Sequence, residues 1–222
     1  MTDRTSPIRD RKPSAPINLP SRKNERSGLI FDLSEVLISG LVGIERQLCH
    51  HVPASEDQIL PCFGGPLLDE LLLGNISEDT YLKAIVLREG WGTDVSRLKE
   101  VIRNNFHNQV AGMLDILAAL APDHELALLS DHAEEWIAYI KSIHPFLSLF
   151  KRTFFSYELG ELKRNPEAFS QVLKALSIPA RRCLFIDDNP ANVAVAQSVG
   201  LPGICFVDAE QLVSELQRWG VW

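Results

Sequence analysis

From Gly28 onward, the hydrophobic positions follow two alternating rhythms. Short, almost wholly apolar runs recur as LIFDL (29–33), ELALLS (125–130), TFFS (153–156), CLFIDD (183–188) and GICFV (203–207). Runs of this length, apolar at odd and even positions alike, predict strands buried on both faces. Between them the period lengthens to that of a helix. AGMLDILAALA (111–121) gathers Met113, Leu114, Leu117 and Leu120, and HAEEWIAYIKSIH (132–144) gathers Trp136, Ile137, Ile140 and Ile143. Two further helices announce their starts. Asn165-Pro166 and Asn189-Pro190 each pair a side-chain cap with a proline preset for the first turn, and the second segment closes on Gly200. Strands alternating with helices predict an α/β fold, a parallel sheet with helices on both faces.

One stretch departs from the alternation. Residues 41–108 hold helical patterns only, among them PLLDELLLG, SEDTYLKAIVLREG and DVSRLKEVIRNNFHN. Ser77 with Glu78 and Asp79 marks one helix start, the acids placed to favour its dipole. The expected organisation is a basic tail (1–28), a core built from 29–40 and 109–222, and an all-helical insertion (41–108) directly after the first strand.

Charge sharpens this division. Residues 1–28 carry seven Lys/Arg against three Asp/Glu, a net of +4; the whole chain is −7, so residues 29–222 carry −11. An acidic body is a poor match for nucleic acid. The tail, rich in proline, serine and arginine, predicts disorder and lacks the apolar core of a secretory signal. Nowhere does an apolar stretch approach membrane-spanning length. Cys49, Cys62, Cys183 and Cys205 are scattered, which fits a reducing, cytoplasmic setting; Cys183 and Cys205, inside apolar runs, are expected to be small buried hydrophobes.

Candidate chemistry sits where the apolar runs stop. LIF ends on Asp32, LALL on Ser130, and LFI on Asp187 with Asp188 next. Ligands of an open parallel sheet bind beyond the carboxyl ends of its strands, so separate strands deliver these groups to one edge. Each alone is as readily a turn or helix cap. Clustered at buried strand ends, the carboxylates call for a cation, and oxygen donors without His or Cys suit a hard divalent ion such as Mg²⁺.

In their order and spacing, FDLSEVL, LLSDHAEEW, FFSYELGELKRNPEAF and CLFIDDNPANVAVAQSVGL resemble the four signature motifs of the haloacid dehalogenase superfamily, over roughly residues 29–205. The resemblance implies a Rossmann-like core and a helical cap inserted after the first motif. It implies Asp32 as nucleophile, Ser130 and Asp131 beside the phosphoryl group, and Lys163 as the lysine of the third motif. It also implies Mg²⁺ held by Asp32, the main-chain carbonyl of Ser34, Asp187 and Asp188. The expected activity is Mg²⁺-dependent hydrolysis of a small phosphorylated metabolite through an aspartyl-phosphate. A helix opening near His132 is expected to offer free N–H groups to the same anion.

Several positions depart from the family pattern. Ser34 stands where an acid is frequent, and its hydroxyl is too weakly acidic to replace one; Glu35 is a substitute to consider. Asp131 stands where Asn is common, and Arg164-Asn165 replaces Pro-Asp. His132 reads either as a substrate contact or as an ordinary helix-start residue, while Phe63, Arg88 and Trp91 read as pocket or as core. Two alternatives follow: a non-catalytic binding protein that keeps the fold, and a 2-haloacid dehalogenase, against which Ser34 and the Asp187–Asp188 pair argue.

Overall fold

The structure is a computed structural model and describes residues 28–222; the basic tail expected over 1–28 lies, but for Gly28, outside the described residues. Five strands form one parallel sheet: β1 (Gly28–Phe31), β2 (Glu125–Ser130), β3 (Arg152–Phe155), β4 (Cys183–Asp187) and β5 (Gly203–Cys205). Their spatial order, β3-β2-β1-β4-β5, puts β1 in the centre, paired with both β2 and β4.

Eleven α-helices accompany the sheet among the described residues. α1 (Glu45–Leu48), α2 (Glu56–Cys62), α3 (Pro66–Leu72), α4 (Glu78–Glu89) and α5 (Val95–Phe106) lie in the chain between β1 and α6 (Met113–Leu120). Then come α7 (Glu134–Ile143), α8 (Ser156–Leu159), α9 (Pro166–Leu176), α10 (Pro190–Ser198) and α11 (Ala209–Arg218). Asn165 and Asn189 cap α9 and α10 through their side chains, and Ser77 caps α4, as their residue types dictate.

Alternation along the strands divides the core in two. Leu29, Phe31, Leu126, Leu128, Leu184 and Ile186 face one side, packed with α6, α7 and α11. Ile30, Ala127, Leu129 and Phe185 face the other, against Phe169 and Val172 of α9 and Ala196 of α10. The first cluster runs on without interruption into Ile59, Leu71, Tyr81, Ile85 and Leu98 of the helical segment. That segment therefore buries its apolar faces partly against the sheet layer, the dominant favourable contribution available to it.

Two expectations need correction. Cys205 is exposed, because β5 is a three-residue edge strand that turns only Ile204 inward. In α6 the inward face takes Ile116 in place of Leu114, which is half-buried.

Candidate active site

The sheet register brings the strand-end residues together. Phe31 pairs with Ile186, so the residues that follow, Asp32 and Asp187, stand side by side. The Asp32 N–H donates to the Ile186 carbonyl at 2.8 Å, carrying the ladder one step past the strand. On the other flank of β1, Ser130 closes β2. Asp32, Ser130, Lys163 and Asp187 are all buried polar residues at this one edge.

Lys163 arrives from the loop between α8 and α9. Gly160 ends α8 with φ +68°, a left-handed conformation that a Cβ would strain, and the chain turns back toward the sheet. The ammonium then bridges two carboxylates, Nζ to Asp32 Oδ1 at 2.7 Å and to Asp187 Oδ2 at 2.7 Å. Asp131 fixes the start of this reach: its carboxylate accepts the Lys163 backbone N–H at 3.1 and 3.2 Å. Asp187 is further held by the Asn189 N–H (2.8 Å) and the Asn192 amide (3.2 Å). Asp32 accepts the Leu33 N–H at 2.7 Å.

One cation thus serves several negative groups. Burial raises the Asp32 carboxyl to about 7, Lys163 opposing the shift and Asp187 adding to it. Burial likewise raises Asp131 and, with Asp187 contributing, Asp188. Burial alone would lower the Lys163 ammonium, but Asp32, Asp187 and Asp131 outweigh it and raise it, so the lysine stays charged. Oxygens of Asp32, Asp187 and Asp188 lie within 4.8 Å of one another. This surplus of negative charge on hard oxygen donors is the chemistry that a divalent cation such as Mg²⁺ satisfies.

Ser130 contributes a different kind of incompleteness. Its hydroxyl is buried, lines the same cavity and has no hydrogen-bond partner. A buried hydroxyl left unpaired is costly, and a bound anion would satisfy it.

Ser34 and Glu35, just beyond Asp32, carry information that the sequence withheld. Ser34 Oγ lies 2.9 Å from His132 Nε2, joining residues 98 positions apart. His132 is buried between the rings of Phe106 and Trp136, its Nδ1 has no partner, and burial together with Lys163 lowers its pKa to about 3. The neutral ring either accepts the Ser34 hydroxyl's hydrogen bond at Nε2 or donates its own Nε2–H to Oγ; the second arrangement leaves the Ser34 hydroxyl hydrogen free for another acceptor. Space around Ser34 is tight, since a Cβ on Gly40 would fall 2.8 Å from both Ser34 Cβ and Oγ. Glu35 adopts φ +60°, lines the cavity and accepts the Gly40 N–H at 2.7 Å; burial raises its carboxyl.

Other expectations resolve differently. The His132 N–H is not free for an anion, because it donates to Ser156 Oγ at 3.1 Å, and α7 begins only at Glu134. Phe63 and Trp91 are core residues, and Arg88 binds Glu89 and the Cys62 carbonyl; none lines the cavity. Arg164 is exposed and paired with Asp69 of α3 at 2.7 Å.

The cavity itself has a volume of about 400 Å³. Its floor is polar, with Asp32, Ser130, Asp131, Lys163 and Asp188. Leu41, Val42, Leu68, Leu72, Phe106 and Trp136 supply apolar walls, all but Trp136 from the chain between β1 and α6.

Comparison with known proteins decides the family. The model of the haloacid dehalogenase-like hydrolases matches residues 27–200. The chain belongs to this family. As a haloacid dehalogenase-like hydrolase it is an enzyme of the hydrolase class, and the order of the four motifs read from the sequence is explained. Among curated relatives, the chloroplast flavin mononucleotide hydrolase 1 of Arabidopsis thaliana is 27% identical over 201 residues, 90% of this chain and 80% of that protein. A predicted haloacid dehalogenase-like family hydrolase from Porphyromonas gingivalis superposes with a TM-score of 0.70 at 21% identity, covering 87% of this chain and 97% of that one. A family enzyme of Bacteroides thetaiotaomicron, in complex with magnesium and inorganic phosphate, gives 0.66 at 22% identity, with coverage of 85% and 99%. At these identities the two structures speak for the fold. No helix among the described residues is long and apolar enough to cross a membrane.

Proposed function

We propose that the protein is a Mg²⁺-dependent phosphomonoester hydrolase acting on a small phosphorylated metabolite. The observation that carries this reading is the meeting of Asp32, Asp187 and Asp188 around one buried lysine, beside an unpartnered Ser130 hydroxyl. The flavin mononucleotide hydrolase among the relatives and the phosphate in the Bacteroides structure support it.

In this reading Asp32 attacks phosphorus, the bond from phosphorus to the ester oxygen breaks, and the departing alkoxide takes up a proton. Water then hydrolyses the aspartyl-phosphate, releasing phosphate and restoring Asp32. A carboxylate suits the nucleophile's role when it is ionised, and the adjacent Lys163 ammonium favours that form. Ser130 donates to a phosphoryl oxygen, and Lys163 offsets the charge that gathers there. Asp32, Asp187, Asp188 and the main-chain carbonyl of Ser34 would hold Mg²⁺, which when bound supplies charge neutralisation between the carboxylate and the phosphate. The helices over residues 41–108 serve as a cap, since this segment provides most of the apolar wall. Lacking a carboxyl at position 34, the enzyme favours esters whose leaving groups need little acid help.

The test is direct. Phosphate release from p-nitrophenyl phosphate should require Mg²⁺ and disappear in Asp32→Asn. No turnover of a broad panel of phosphate esters in the presence of Mg²⁺ would instead favour a binding protein that keeps the fold.

A further inference from the structure

The cavity that meets the phosphate also constrains what the phosphate is attached to. Its floor can receive one anion: Lys163 is the single cation among the described residues that line it, and Lys163 is already engaged by Asp32 and Asp187. Away from the floor the wall offers no positive charge. Arg164, next in sequence, is outside the lining and bound to Asp69. Glu35 stands on the wall as a further carboxylate, so a second phosphate or a carboxylate on the substrate would be desolvated against like charge.

The walls above the floor have the opposite character. Leu41 and Val42 enter from the segment after β1, and Leu68 and Leu72 from α3. Val42 is 53% exposed, one of only a few large hydrophobic residues so placed among the described residues. Phe106 and Trp136 back this wall with fixed rings, Trp136 being held by its indole N–H on Glu78 at 2.7 Å. An exposed apolar surface contiguous with a polar, anion-receptive floor is a binding feature, since scattered exposed hydrophobic residues do not converge on one cavity.

Resting on the phosphomonoesterase reading, we infer that the substrate is a monophosphate whose leaving group is uncharged and largely apolar or aromatic, seated between Leu41–Val42 and Leu68–Leu72. Polyol and sugar phosphates fill the same volume, but their hydroxyls find partners only at Ser34, Glu35, Asn189 and Asn192 and none along Leu41, Val42, Leu68 and Leu72. Bisphosphates, nucleoside polyphosphates and phosphoamino acids carry a second charge that nothing on the wall receives.

The experiment compares three primary alkyl esters, so that leaving-group chemistry is matched: phenethyl phosphate, glycerol phosphate and propanediol bisphosphate. With Mg²⁺ and the full-length protein, kcat/KM for phenethyl phosphate should exceed that for glycerol phosphate by about tenfold or more, as expected for burying a group of this size. The bisphosphate should be the poorest of the three. Val42→Lys, at a half-exposed position that tolerates a charge, and Leu68→Lys, on the opposite wall, should each narrow the gap between phenethyl phosphate and the bisphosphate by about tenfold. Equal or better turnover of glycerol phosphate or of the bisphosphate by the unmodified enzyme would overturn the inference. Binding of the same esters to Asp32→Asn, followed by calorimetry, gives the ranking without chemistry. Should p-nitrophenyl phosphate itself not be hydrolysed, the phosphomonoesterase reading falls, and this binding order alone upholds or overturns the preference for an apolar monophosphate.

Discussion

The buried carboxylate of Glu78 and the carboxylates at the sheet edge are built on opposite principles. Glu78, at the start of α4, is almost fully buried and fully answered. Arg103 of α5 grips it through two nitrogens at 2.6 and 2.7 Å, the Trp136 indole donates at 2.7 Å, and Lys99 adds its charge at 3.6 Å. Even its backbone N–H is taken, by Glu135 at 3.0 Å. At the sheet edge, by contrast, Asp32 and Asp187 share one lysine, Asp188 stands beside them, and Ser130 Oγ and His132 Nδ1 have no partner. Saturation marks a joint, here between the helical segment and α7. Deficit marks a place prepared for something else to arrive.

The comparison can be broken at either pole, and the largest effect is expected at the deficient one. Asp32→Asn should lower kcat by about four orders of magnitude, as removal of a nucleophile does elsewhere, while leaving the denaturant midpoint near that of the unmodified protein. A fall of less than tenfold would place the nucleophile elsewhere. At the saturated pole the signs reverse. Glu78→Gln leaves Arg103 half-answered in a buried setting and should cost about 3 kcal/mol of unfolding free energy in urea titration. Turnover per folded molecule should stay within about threefold, because Glu78 touches no part of the cavity floor.

Smaller changes sharpen the contrast. Ser130→Ala deletes a hydroxyl that is unpaired until an anion binds. It should reduce kcat/KM roughly a hundredfold and leave thermal stability unchanged or slightly raised. A stabilising hydroxyl of the Glu78 kind would produce the reverse. The smallest effect belongs to His132→Phe, which keeps the packing on Phe106 and Trp136 and removes the partner of Ser34. Alkyl esters should slow by about fivefold and p-nitrophenyl phosphate hardly at all, since only the former gain from a hydrogen bond to the leaving oxygen, which the Ser34 hydroxyl can donate without serving as the acid. Equal losses on both ester types would show that the ring acts through packing alone.

The two poles also differed in how openly the sequence announced them. The edge residues were legible because a buried strand that stops on a carboxylate or hydroxyl is a local signal, repeated at Asp32, Ser130 and Asp187. Helix starts at Asn165-Pro166 and Asn189-Pro190 were legible for the same reason: cap and first turn lie within two residues. Glu78 gave only half its meaning. Its place in the first turn of α4 was readable, but its burial depends on Arg103 and Trp136, which are distant in the chain. The Ser34–His132 contact was likewise invisible, since nothing local to either residue points across 98 positions. α2 falls within the stretch read as helical, but its bounds have no signal of their own because Pro61 interrupts a short pattern from within the helix. Cys205 looked buried because an apolar run does not say whether its strand will lie at the edge of the sheet.

Rapid acid quenching of the enzyme during turnover of p-nitrophenyl phosphate, followed by peptide mass spectrometry, asks whether Asp32 carries the phosphoryl group. One added phosphoryl group is expected on the peptide containing Asp32, removed by hydroxylamine and absent from Asp32→Asn. Turnover with no covalent phosphate on any peptide, or a label on a different residue, would contradict it.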